Sequence, residues 1–162
     1  MTISALPLGA ALPFALIFMA MLVGAAVQDA RSRTISNGWP LAFLLLFAIA
    51  WPMGVIAGPL GSHLLHFGIA LVVGLALFAV RWIGGGDAKL YAAVALWFAL
   101  GHALFLLLSV VLSGAVLAVV HLTISMTRNA RTKQPKNLRD NKLAYGIAIA
   151  VGAILALPRA FS

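Results

Sequence analysis

The chain has 162 residues, 64% of them hydrophobic and 9% charged, with a mean hydropathy of +1.10. A soluble domain carries roughly 25% charged residues to cover its water-facing surface, so this composition excludes one and implies several membrane crossings. The formal net charge of +8 sits between apolar segments, where the positive-inside rule and anionic headgroups explain it without nucleic acid as a partner.

Six apolar segments follow one another. They run from about Ala10 to Gln28, Trp39 to Ala57, His63 to Ile83, Ala88 to Leu100, Ala103 to Met126 and Leu143 to Leu157. The first lacks a basic region before it and is long for the apolar part of a signal peptide, so it reads as a retained helix. Leu90 to Met126 would span on the order of 55 Å as one helix, too long for a single ~30 Å crossing. A break near Gly101-His102 and a short fourth helix resolve this. Thr127 to Asn141 is polar and basic and reads as a mobile loop against anionic headgroups.

Sidedness follows from lysine and arginine. Arg31 and Arg33 lie between segments one and two, Arg81 and Lys89 between three and four, and six more between five and six. Ten of the 11 basic residues thus share one face, and only Arg159 falls on the other. The expected fold is all-α, with six transmembrane helices, both termini outside and residues 1–162 forming one integral-membrane domain.

Acidic residues are scarce: Asp29, Asp87 and Asp140, with no glutamate. A carboxylate near hydrocarbon is costly and marks a functional position. Asp29 ends the first segment and precedes a basic turn; Asn37 can cap the following helix, and Pro40 suits its first turn. Asp87 follows Gly84-Gly85-Gly86, where glycine allows unusual backbone and close approach of another chain. Both aspartates fall at cytoplasmic helix ends. Paired aspartates hydrolyse peptides when one activates water and the other, protonated, polarises the carbonyl. The plainer alternatives are that Asp29 pairs with Arg31 or Arg33 and that Asp87 is a helix N-cap.

Gly84-Gly85-Gly86-Asp87 matches the GxGD signature of intramembrane aspartyl proteases, and Ala88-Lys89-Leu90 extends the match to the prepilin peptidases. Asp29 to Asn37 resembles the first-aspartate segment of the same family, and Ala144 to Ala150 resembles a segment of its last helix. Ser36 and Ala144 depart from it, each standing where proline is usual or frequent. The resemblance implies GxGD-type architecture, with Asp29 and Asp87 catalytic and Gly84, Gly86, Asn37 and Lys89 supporting. It further implies a bacterial inner-membrane peptidase cutting the cytoplasmic leader from a prepilin, with neither cofactor nor metal. The chain has no cysteine and so lacks the paired-cysteine, zinc-associated segment of the long bifunctional enzymes. It resembles the short, peptidase-only form of Flp-type (tight-adherence) pilus systems.

Other membrane proteases fit less well. HExxH needs glutamate, and Val111 stands where the GxSG motif of rhomboids would place glycine before Ser113-Gly114. The rival of another class is a proton-coupled transporter or a pilus-assembly subunit using the aspartates as a relay. His63 and His66, at i, i+3 spacing, fall in the external loop region; His102 belongs to a turn, and His121 lies near the aspartates but outside the site. Lys89 reads as a headgroup contact, and Trp39, Trp51, Trp82 and Trp97 as interfacial anchors.

Overall fold

A computed structural model describes residues 8–131 and 145–160, with side chains described for 11–124 and 145–160. Six α-helices occur among the described residues: α1 (Leu8–Ser32), α2 (Gly38–Ala50), α3 (Leu60–Ala79), α4 (Gly85–Ala95), α5 (Ala103–Arg131) and α6 (Tyr145–Ala156). Three of them, α1, α3 and α5, are long and apolar enough to cross a membrane. The others have 11 to 13 residues, short of the ~20 that a full crossing requires.

The ends of these helices differ from the apolar runs for identifiable reasons. Polar residues carry α1 past Gln28 to Ser32, where Arg33 adopts φ 53 and its N–H donates to the Asp29 carbonyl at 2.8 Å. That is a left-handed C-terminal cap formed without glycine. Helix α3 stops at Ala79, short of Ile83. Arg81 (φ 63) donates to Phe78 and Trp82 to Leu77, the paired bonds of a Schellman cap. Helix α2 ends at Ala50 rather than Ala57, because Pro52 and Gly54 (φ 70) turn the chain. The apolar run continues as non-helical Val55 and Ile56, which are buried all the same.

The break expected at Gly101-His102 is present. Helix α4 ends at Ala95, a 3-10 turn covers Leu100–His102, and α5 begins at Ala103. Helix α5 continues through Arg131, so residues 127–131 are helical rather than loop. The rest of the expected basic loop, 132–141, lies outside the described residues, as does Ala144.

Short α4 and α6 occupy the centre. Helix α4 packs on α2, α3 and α6, while α6 packs on α1, α4 and α5. Both are rich in alanine and glycine, and Ala88, Ala92, Ala93, Ala95, Ala148, Ala150, Ala153 and Ala156 are all buried. Small residues allow helix backbones to approach where no hydrophobic effect drives helices together. The bulk of the core comes from Phe18, Leu22, Phe43, Phe47 and Trp97. Trp97 is fully buried, packs edge-on to Phe47 and donates to the Phe43 carbonyl at 3.2 Å. It is therefore a core residue rather than an interfacial anchor, whereas Trp82 is 76% exposed.

The two histidines of α3 are also internal. His63 Nδ1 bonds the Leu96 carbonyl at 2.9 Å and its Nε2 bonds Ala57, while His66 Nδ1 bonds Phe98 at 2.9 Å. Ser62 Oγ accepts the Leu100 N–H. These side chains satisfy the backbone groups left open where α4 ends, which would be expensive unpaired. His63 and His66 are thus buried helix residues, not part of an external loop. At the far end of α6, the Arg159 guanidinium lies 3.5 Å from the centroid of the Phe105 ring.

Gly152 sets the α5–α6 separation, since an added Cβ would stand 2.5 Å from Val110 Cα and 2.6 Å from its N. Backbone cannot rotate away as a side chain can. Gly152→Val is expected to destabilise the protein by about 1–3 kcal/mol or more. Gly68→Ala, where nothing lies within 4 Å, should be neutral or mildly stabilising. Thermal unfolding of the two variants in detergent checks the contrast.

Candidate active site

The last turn of α1 carries Asp29, whose residue is only 4% exposed. A buried carboxylate needs donors, and the nearest is the start of α6: the Gly146 N–H donates to Asp29 Oδ2 at 2.7 Å. Amides in a helix's first turn have no intrahelical acceptor, and the helix dipole there favours negative charge. Arg33, four residues on, is close enough for its charge to act on Asp29. The simple alternative of an Asp29–arginine headgroup pair therefore omits the main partner, a backbone amide 117 residues away.

Glycine is required at 146. A Cβ there would sit 2.8 Å from Asp29 Oδ2, 2.9 Å from Asp29 Cβ and 3.0 Å from Ile35 Cδ1. The resemblance had pointed to residues 144–150 without assigning Gly146 this role, which depends on a contact that spacing does not reveal.

Asp87 lies in the first turn of α4, with Gly84 at the N-cap, so it is not itself the cap. Its carboxylate folds back toward Gly84, where an added Cβ would stand 2.6 Å from Oδ2, in the third-residue position of a capping box. Gly85 and Gly86 are already helical, and Gly84 has an ordinary φ of −73. Unusual backbone is thus not the reason for the glycines. At Gly86 the reason is proximity: a Cβ would stand 3.1 Å from both Cβ and O of Ile35.

Ile35 of the first-aspartate segment is thereby wedged between α4 and α6, touching Gly86 on one side and Gly146 on the other. The sequence signalled it only as an isoleucine in the first-aspartate segment. A second tie lies beside it, where Lys89 Nζ donates to Asn37 Oδ1 at 3.1 Å. This corrects two expectations. Asn37 occupies the N-cap position of α2 but makes no side-chain capping bond, and Lys89 reaches a neighbouring segment rather than only headgroups. Gln28 holds the intervening turn, its Oε1 accepting from the Ser36 N–H at 3.2 Å and from Trp39 Nε1 at 2.8 Å. These ties bring the Asp29 and Asp87 segments together, within electrostatic reach of each other.

Asp87 also opens onto a cavity of about 910 Å³, with Ala30, Arg33, His121 and Tyr145 near the same end. His121, left outside the site on sequence grounds, lines this cavity. Tyr91, one helical turn beyond Asp87, lines it too. Asp87 lines this cavity and Asp29 does not; two carboxyl groups brought together can share a proton and act on a bond brought to them.

No curated protein and no solved structure matches the chain. A model of the type IV leader peptidase family matches residues 16–119, which cover both aspartate segments and well over half of the sequence. The chain belongs to the type IV leader peptidase family.

Proposed function

We propose that this protein is an aspartic endopeptidase of the bacterial inner membrane that removes the cytoplasmic leader from Flp-type prepilins. In this reading six membrane segments form one peptidase domain, with the aspartates facing the cytoplasm. The observation that carries it is the latching of the two aspartate segments through Ile35–Gly86 and Asn37–Lys89, with Asp29 held on Gly146. Membership of a leader peptidase family supports the peptidase chemistry. The absence of cysteine supports a short form confined to peptide cleavage.

In the mechanism, one ionised carboxylate takes a proton from water as the oxygen attacks the scissile carbonyl carbon. The other, protonated, carboxyl donates its proton to the carbonyl oxygen. Collapse of the tetrahedral intermediate breaks the C–N bond: the proton taken from water passes to the leaving amine, and one hydroxyl of the intermediate returns its proton to the second carboxylate as the C=O bond re-forms. The products are a carboxylic acid and an amine, and the pair returns to sharing one proton. Because the two titrations belong to the pair, both carboxyl groups are required in every turnover. A proton relay for transport differs on this point, since it predicts graded loss and no cleaved product.

Asp29→Asn and Asp87→Asn are each expected to lower leader removal by at least about 100-fold at unchanged membrane level. Co-expression with a Flp-type prepilin, followed by gel shift and mass spectrometry of the leader, measures this. Appreciable cleavage by either variant would sink the paired-aspartate mechanism.

Gly146→Ala places a methyl group against Asp29 and is expected to displace its carboxylate, lowering cleavage on the order of 100-fold. Asn37→Ala and Lys89→Ala remove a single exposed tie and should cost much less, about 1 kcal/mol or under. A Gly146→Ala enzyme cleaving at the wild-type rate would show that Asp29 does not need this anchor.

A further inference from the structure

The cavity that meets Asp87 does not end there. It continues as an open groove between α3 and α5, floored by α4 and α6. At the aspartate end it is bounded by Arg33, Asp87 and Tyr145, and at the other by His66, Leu100 and Leu104. From Leu104 to Ile124 the α5 wall rises about 30 Å, the thickness of a bilayer's hydrocarbon core. The groove is thus as long as a single membrane-spanning helix.

Its chemistry fits such a helix. Ile69, Val73 and Leu77 recur at four-residue spacing on the α3 wall, and Leu104, Leu107 and Val111 at three and four on the α5 wall. Small residues line the two seams where wall meets floor, Gly74 against Ala88 and Gly114 against Ala148, while Tyr91, Ile147 and Ile149 supply apolar bulk on the floor. Apolar ridges at helical spacing on two walls, with small residues at the seams between them, offer the grooves into which the ridges of another helix pack. Polar groups are confined mainly to the two ends. An incoming chain whose helix fills the groove must leave it beside Asp87.

We infer that this groove binds the hydrophobic helix of the substrate, with its leader-proximal end at Asp87 and its distal end toward His66 and Leu104. The inference rests on the leader-peptidase reading above and deepens it by assigning the surface that selects the substrate. Continuity of the groove with Asp87, together with its length, favours a substrate helix over a lipid chain or a second copy. Neither of those would need to reach the carboxyl pair. Leader removal then occurs where the helix emerges, so the groove acts as a ruler for the cut.

The cysteine-free chain allows a direct test. Single cysteines are placed in the groove at Val73 or Val111, and away from it at Val72 or Leu108, which are exposed on the same helices but do not line it. Each is co-expressed with a Flp-type prepilin carrying one cysteine in its hydrophobic helix, and disulfide cross-linking is read on gels beside leader cleavage. Cross-links are expected at Val73→Cys and Val111→Cys and lost at Val72→Cys and Leu108→Cys. Moving the substrate cysteine two turns from the leader, about 11 Å, should shift the strongest partner from Val111→Cys to Leu104→Cys.

Equal cross-linking at all positions overturns the groove assignment, as does no cross-linking while cleavage proceeds, the result that lipid chains would give. Enzyme-to-enzyme cross-links at Val111→Cys that added prepilin does not reduce would assign the groove to a second copy instead. Cross-linking needs no turnover. Groove-specific cross-links without cleavage would therefore count against the peptidase reading and not against the groove.

Discussion

A carboxylate at the edge of a membrane is stable only if something in the protein replaces the water it has lost. For Asp29 that replacement is the backbone amide of Gly146 at the open end of α6, reached at 2.7 Å. Much of the local architecture follows from this bond. Helix α6 must point its N-terminus at the end of α1, residue 146 must lack a side chain, and Ile35 fills the space left beside the glycine. Because Ile35 also lies against Gly86, satisfying one aspartate positions the segment that carries the other. A donor from a side chain would have had rotamers to choose from; a helix amide has none, so the carboxyl group is fixed as firmly as the helix.

The second constraint is size. Helices α4 and α6 are short and built of alanine and glycine, and longer helices surround them. Small residues bring backbones close, so little side-chain volume separates the central helices, and the aromatic cluster around Trp97 supplies bulk on only one side. On the other side Ala88 and Ala148, with Tyr91, Ile147 and Ile149, face the groove between α3 and α5. The histidine bonds from α3 to the carbonyls at the end of α4 hold that centre at the end opposite the aspartates.

Much of this was legible in the sequence because the forces concerned are local or strongly patterned. Apolar runs, the placement of arginine and lysine, and the break forced by the length of Leu90 to Met126 yield the helices in order. The rarity of acidic residues singles out Asp29 and Asp87. What could not be read is where side chains go once the helices meet. Trp97 near a segment end looks interfacial until α1 and α2 close over it, and His63 and His66 look like loop residues until α4 presents its unpaired carbonyls. Asn37 looks like a cap until Lys89 reaches it. Helix ends were misjudged for a related reason: hydropathy continues through Val55 and Ile56, whereas the helix obeys Pro52 and Gly54. Hydropathy reports burial in lipid or protein, and backbone geometry is a separate variable.

The chain order of the Asp29 anchor has a consequence for biosynthesis. The family match ends at residue 119, yet the amide that holds Asp29 comes from Gly146, 117 residues downstream of the aspartate it serves. During synthesis both aspartate segments emerge and can meet well before α6 leaves the ribosome. Until then Asp29 lacks its donor, and its carboxyl group has no fixed orientation. The orientation of a carboxyl group made early in the chain is thus set only when a helix made late docks against it.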